Sequence, residues 1–177
     1  MEGVKAVNPL WEFALDYYAN QDIAQCLLAL QDRDGYQVNV LIFTIWLTSK
    51  GLKLQKLPTK EQQVGRWHRD ISVNIRALRQ SVKRESSDNE ALALVLASCY
   101  RKLLSAELAV EEVELMLLYQ QHLQYTDVFE EHVTIAARLN DNLSYCWQQL
   151  KTTQVASDHK LRELQLLQLS LNYLQNT

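Results

Sequence analysis

Residues 26–51 read CLLALQDRDGYQVNVLIFTIWLTSKG: a helix end, a polar turn, then a segment with almost no hydrophilic side. From Val38 to Leu47 only Asn39 and Thr44 are polar. A surface helix keeps a polar stripe, so a segment apolar on nearly every side is buried by several neighbours at once. A buried strand is the rival reading, because Val38, Val40, Ile42, Thr44 and Ile45 are β-branched. Length and punctuation favour the helix. Asp34 and Gln37 stand in the N-cap and N3 relation, where each side chain can satisfy a backbone donor. Gly51 follows Lys50, a C′ glycine preceded by a positive charge at the helix's negative end. About 14 helical residues span roughly 21 Å, short of the ~30 Å of a bilayer core. The segment is therefore expected to be a core helix, not a membrane anchor.

Gln31, Asp32 and Asn39 lie close to this helix in sequence, and Asn39 sits one turn from Phe43. A buried amide without partners costs about 1–3 kcal/mol, so Asn39 is expected to bond to the Gln31–Asp32 turn. These groups then form either a ligand site or a polar lock between the second and third helices. The lock is the commoner use of such groups.

The pattern formed by Cys26, Leu27, Leu30, Gln31, Asp32, Gly35, Val38, Asn39, Leu41, Phe43, Trp46 and Leu47 resembles a family of proteobacterial conserved hypothetical proteins of unknown function. Leu10-Trp11-x-Phe13-Ala14 upstream and Trp67, Arg76 and Leu78-Arg79 downstream resemble its flanking features. Position 37 departs from it, with Gln where the family carries an acid. The resemblance covers about the first half of the chain. It implies a bacterial cytoplasmic protein and supplies no activity.

At 177 residues with 47% hydrophobic content, a single domain (1–177) with one ample core is expected. Two prolines and four glycines disfavour turn-dense β architectures. No charged-then-apolar signal opens the chain and no run reaches 18 apolar residues. Cys26, Cys99 and Cys146 are odd in number, widely spaced and set in helical patterns, which reads as buried, reduced thiols in a reducing compartment. The net charge of −3 hides an asymmetry. Residues 1–49 carry two basic and six acidic groups, 50–84 carry ten and two, and 85–177 carry six and thirteen. Such blocks imply either internal pairing or an exposed basic face with a partner.

Taken in order, Asn8-Pro9 opens the first helix, with Leu10, Phe13, Ala14 and Tyr17 on one face. Asp22 is read as the cap of a second helix ending near Gln31. Leu52–Pro58 reads as a linker, and Thr59 with Gln62 as a capping box. Across residues 60–84, Val64, Trp67, Ile71, Ile75, Leu78 and Val82 fall within an arc of about 80°. Arg66, Arg69, Arg76, Arg79, Lys83 and Arg84 occupy the opposite side, a candidate basic face for phosphates or an acidic partner. Gly65 inside that pattern is expected to weaken the helix by up to about 1 kcal/mol. Ser87-x-x-Glu90 reads as another capping box, with small Ala91, Ala93 and Ala97 after it. A break is expected near Ser105–Ala109, a cap at Asp127, an interruption at Asn140-Asp141-Asn142, and a terminal helix from Ser157 or Asp158. In that last helix Leu164, Leu167, Leu171 and Leu174 form one seam, while Leu166, Leu169 and Tyr173 form another. One seam packs on the bundle and the other needs a further neighbour, either helix three, a homodimer mate or a partner protein. Core packing on both sides is the conservative reading, and Leu164, Leu167, Leu171 and Leu174 are the candidate homodimer interface.

No glycine-rich phosphate loop, nucleophile elbow or paired-cysteine zinc pattern occurs. None of His68, His122, His132 and His159 has a Glu three residues before it, as a di-iron bundle requires. Glu111, Glu112, Glu114, Glu130 and Glu131 read as first-turn or surface acids. Asp32 and Asp34 could hold a metal, as could Asp141 with the nearby asparagines, but their loose spacing suits caps and turns better. The expected fold is thus all-α, a single-domain bundle of seven or eight helices around residues 38–47. The favoured function is a non-enzymatic cytoplasmic interaction or regulatory module with a protein partner or a second copy of itself, no cofactor, no catalytic or metal residues and no membrane. Its rivals are an RNA- or phosphate-binding protein using the basic face, and a small-molecule enzyme with a pocket near Gln31, Asp32 and Asn39.

Overall fold

The computed structural model of the protein describes residues 8–88, 92–150 and 158–177. It is all-α apart from one short two-stranded ribbon. The chain divides into two compact units, residues 1–57 with 119–177, and residues 58–118.

The first unit is built around α3, Val38–Ser49, in which every residue from Val38 to Thr48 is buried. It is a helix and not a strand, as the punctuation implies, and Gly51 closes it at φ 70. Its two hydroxyls bond inside the helix: Thr44 Oγ1 donates to Val40 O at 2.7 Å and Thr48 Oγ1 to Thr44 O at 3.1 Å. Polar groups satisfied this way can be enclosed without stranding a donor. Around α3 stand α1 (Pro9–Ala19), α2 (Gln21–Asp34) and α7 (Ile135–Leu150). The last helix, α8 (His159–Asn176), packs on α2 and α7.

Asn8 caps α1 as expected, its Oδ1 accepting from Trp11 N at 3.2 Å. Helix α2 corrects the sequence reading at both ends. Asn20 caps it, because its Oδ1 reaches the N–H groups of both Asp22 and Ile23. Asp34 is its last residue and Gly35 its left-handed C-cap at φ 72. No capping box joins Asp34 to Gln37, because the Asp34 carboxylate is taken by Arg162 of α8: Nε and Nη2 reach its two oxygens at 2.6 and 2.7 Å. Beside this bidentate pair, Arg162 also reaches Asp158, and Glu163 accepts from the Tyr36 hydroxyl and from Lys160 at 3.0 Å. Charge-assisted bonds of this kind fix α8 across α2 in one register.

The supposed linker contains β1, Leu52–Leu54, paired antiparallel with β2, Thr126–Val128, so that Leu52 faces Val128. Asp127 therefore lies in a strand and caps nothing; Thr134 Oγ1 accepts from Ala137 N at the start of α7. The interruption expected at Asn140-Asp141-Asn142 is absent, and α7 runs through it. Asn142 is there because its amide is buried and fully used. Its Nδ2 donates to Thr48 Oγ1 at 3.1 Å and Leu52 O at 2.9 Å, and its Oδ1 accepts from Leu54 N at 2.8 Å. The capping box at Ser87 and Glu90, and the readings at Ala91 and Ser157, fall outside the described residues and side chains. Among the described residues, no helix is long and apolar enough to cross a membrane.

Two expectations follow. Replacing Asn142 by Ala strands Leu54 N and Leu52 O, and is expected to cost about 2–3 kcal/mol, read as a lower urea midpoint at unchanged slope. Burial pushes the Cys26 thiol up to about 11 and Cys146 up to about 12, whereas Cys99 is exposed rather than buried as its pattern suggested. Thiol labelling of the native chain at pH 8 should therefore modify Cys99 alone, the other two reacting only on unfolding.

Candidate functional site

The second unit decides what the basic stretch does. Instead of one helix over 60–84 it forms α4 (Gln63–Trp67), a π-helical turn (His68–Ser72) and α5 (Val73–Asp88). Thr59 N donates to Gln62 Oε1 at 2.8 Å, but this turn precedes the helix, which starts at Gln63. Gly65 has a reason to be glycine: a Cβ there would stand 2.1 Å from Thr59 O. In the π turn Val73 N–H bonds to His68 O, five residues back, so one extra residue enters the winding. Everything downstream is rotated by one position. The expected apolar arc is displaced accordingly: Val64 is buried, but Ile71 and Leu78 are exposed, and Ser72 takes the inward place.

The side that turns inward carries Ser72, Arg76 and Arg79, and it meets α6, Ala93–Gln121, which runs unbroken through Ser105–Ala109. Arg76 donates to Glu107 at 3.0 Å and Glu111 at 2.9 Å. Arg79 bonds the other oxygen of Glu107 and reaches the Tyr100 hydroxyl at 3.1 Å, its guanidinium 5.6 Å from that ring. One turn further on, Glu114 accepts from the Ser72 hydroxyl and lies 3.1 Å from His68 Nδ1. Trp67 Nε1 donates to Val110 O at 3.1 Å. Glu107 and Glu114 are buried, so Glu114 is not the surface acid its position suggested. Burial raises the Glu111 carboxyl above its ordinary range, with Arg76 pulling it back.

The candidate basic face is therefore divided. Arg76 and Arg79 are spent on α6. Arg69 stays exposed and holds its neighbour Asp70 at 2.7 and 2.8 Å, Arg66 bonds Glu61 O, and Lys83 is exposed. The Gln31–Asp32–Asn39 cluster is also divided. Gln31 bonds Asp32 at 3.3 Å at the surface, Asn39 is buried in α3, and among the described residues no bond joins them. Of the candidate interface, Leu164 is exposed, Leu167 and Leu171 are half-buried, and Leu174 is buried; the inward seam of α8 is Arg162, Glu163, Leu166, Ser170 and Leu174. Among the described residues no three His, Cys, Asp or Glu side chains converge to hold a metal.

The second unit buries Glu107 and Glu114 as well as Val64, Leu115, Leu117 and Leu118, and it leaves a large apolar surface exposed. Among the described residues, nine large apolar side chains of this unit are exposed, including Leu78 at 57%, Leu94 at 88% and Leu108 at 48%. On α6, Leu94, Ala97, Leu104 and Leu108 fall within about 80°, roughly a quarter-turn from the face of Glu107 and Glu114. Their 3-4 spacing continues through Arg101. Sequence reading missed this face because it broke the helix at Ser105. The unbroken 3-4 spacing of Glu107, Glu111 and Glu114 opposite that of Arg76, Arg79 and Lys83 was the available signal.

Removing the shared acceptor should be costly. Glu107→Gln leaves two arginines short of their carboxylate and is expected to destabilise by about 3 kcal/mol in urea unfolding. Glu111→Gln should be neutral or stabilising at pH 7. A carboxyl whose pKa is raised on folding favours the neutral form, so its contribution is present at low pH and lost as pH rises through the folded value. The advantage of Glu111→Gln should accordingly shrink as pH falls through the carboxylate range.

Comparison with known proteins adds one finding. No curated protein and no solved structure matches the chain. Residues 9–118, which run from α1 to the end of the second unit, match the model of a family described as a protein of unknown function, DUF2390. With more than half of its length matched, the chain belongs to that family.

Proposed function

We propose that this protein is a non-catalytic, protein-binding helical module whose docking surface is the outer seam of α6. The observation behind this reading is the exposed apolar surface of the second unit, Leu94, Leu104 and Leu108 on α6, beside a helix contact in which Arg76 and Arg79 pair with Glu107 and Glu111. Leu94, Leu104 and Leu108 stand exposed along one face of α6, and an exposed apolar stripe is what a partner helix covers. A second copy of the chain would be one such partner. The free, exposed Cys99 on the same helix suits a reducing compartment, in keeping with a cytoplasmic protein. The nucleic-acid reading is poorer by two of its arginines, since Arg76 and Arg79 each hold a carboxylate. The enzyme reading needs Gln31, Asp32 and Asn39 together in a pocket, and they lie apart.

Photo-crosslinking in native cells tests the docking surface directly. A benzophenone side chain at Leu94 or Leu104 is expected to give an adduct of discrete mass, while the exposed polar positions Asn74 and Lys102 give none. With the probe at Leu94, the double change Leu104→Glu with Leu108→Glu should abolish the adduct without lowering the melting temperature, because both side chains already meet solvent. Adducts of equal yield from the polar positions, or none from α6, would reject the reading.

A further inference from the structure

The first unit contains a cavity of about 420 Å³, within the range of small-molecule sites. Phe13 and Asp16 of α1, Ser49 and Lys50 at the end of α3, Ile135 at the start of α7 and Tyr173 near the end of α8 line it. Its aromatic wall is preformed. Phe13 stacks on Tyr17 with centroids 5.6 Å apart, and both rings meet Tyr173 edge-on at 5.8 and 5.0 Å. Tyr17 is itself buried and tied to Ser170 at 2.6 Å, so the wall cannot swing away without breaking α1 from α8. A rigid apolar surface of this kind binds without a large ordering cost.

The charged side chains in the lining, Asp16 and Lys50, are not equivalent; Leu174 and Thr177 complete the lining. Asp16 already accepts a hydrogen bond from the Tyr173 hydroxyl. That hydroxyl keeps its proton, since burial and then the bond to Asp16 push it up to about 12. Lys50 has no carboxylate within ion-pair distance among the described residues, and Asp16 does not reach it. An uncompensated ammonium at the rim of an aromatic cleft is suited to an anion with an apolar body. A cationic ligand would meet Lys50 as a like charge and would have to displace Tyr173 from Asp16.

We propose that this cleft binds a small organic carboxylate, its acid group on Lys50 and its apolar body against Phe13, Tyr173 and Ile135. The proposal is independent of the docking surface on α6, and either can fail without the other.

The test is a titration of the full-length, ¹⁵N-labelled protein with 3-phenylpropionate, and in parallel with 3-phenylpropylamine and 3-phenylpropanol. The acid is expected to give saturable amide shifts at Ser49, Lys50 and Tyr173, with both analogues at least about tenfold weaker. Lys50→Gln, a change at an exposed C-cap whose side chain supports no other element, should weaken the acid about tenfold and leave unrelated amide positions in place. Asp16→Asn should leave the acid equally tight or tighter, because it removes a negative charge from the cavity. The proposal is overturned by the absence of saturation at about 10 mM, which lies beyond the millimolar affinity a fragment of this size can reach. It is equally overturned by amine or alcohol binding as tightly as the acid, by indifference to Lys50→Gln, or by weaker binding in Asp16→Asn.

Discussion

Enclosure of α3 on every side is the constraint from which the first unit follows. A helix whose eleven residues from Val38 to Thr48 are all buried leaves no direction in which its neighbours can be absent. It requires α1, α2 and α7 as packing partners and the β1 segment to close its far end. Each neighbour then presents the problem of its own polar groups, and the solutions are local and specific. Thr44 and Thr48 bond within their own helix; Asn142 supplies the hydrogen bonds that the chain leaving α3 cannot make for itself. The apolar run thus dictates where the polar groups must be, as well as where they must not.

The same logic explains the position of the buried charges between α2 and α8. Burying Asp34 or Arg162 alone would cost several kcal/mol, whereas a bidentate pair with Asp158 as a third member recovers much of that cost. Such a pair adds little net stability over apolar residues of the same size. What it supplies is registration, because only one placement of α8 along α2 satisfies both nitrogens. The remaining inward positions of α8, Leu166, Ser170 and Leu174, then fall into place at four-residue steps.

The helix class, the burial of residues 38–47, the Asn8 cap and the Gly51 stop were legible because each depends on local chemistry read over a few residues. What escaped was decided at a distance. Asp34 looks like a cap until Arg162, 128 residues away, claims its carboxylate. Asn140-Asp141-Asn142 looks like a helix break because asparagine favours turns, and only the path of β1 shows why Asn142 is kept inside a helix. The ribbon of Leu52–Leu54 with Thr126–Val128 is too short to leave a period in the sequence. The acids of α6 and the arginines of α5 were both visible, but their facing one another depended on a phase that no periodicity at 100° per residue can contain.

That phase is the work of a single residue. Continued as an ordinary α-helix, residues 63–88 would turn Ile71 and Leu78 toward α6 and leave Arg76 and Arg79 outside, the arrangement the sequence pattern suggests. Glu107 and Glu114 would then be pressed against aliphatic groups with no donor, and a buried unpaired carboxylate costs far more than the poorer hydrogen bonding of one π turn. The π turn at His68–Ser72 is thus the cheaper solution, and it has a consequence for the surface. By bringing the arginines inward it sends the apolar arc outward, so pairing the charges and exposing Ile71 and Leu78 are one event. A chain that only needed stability could have made Glu107 and Glu114 leucine and kept the helix regular. Keeping the acids, the arginines and the π turn together is what keeps Ile71 and Leu78 at the surface.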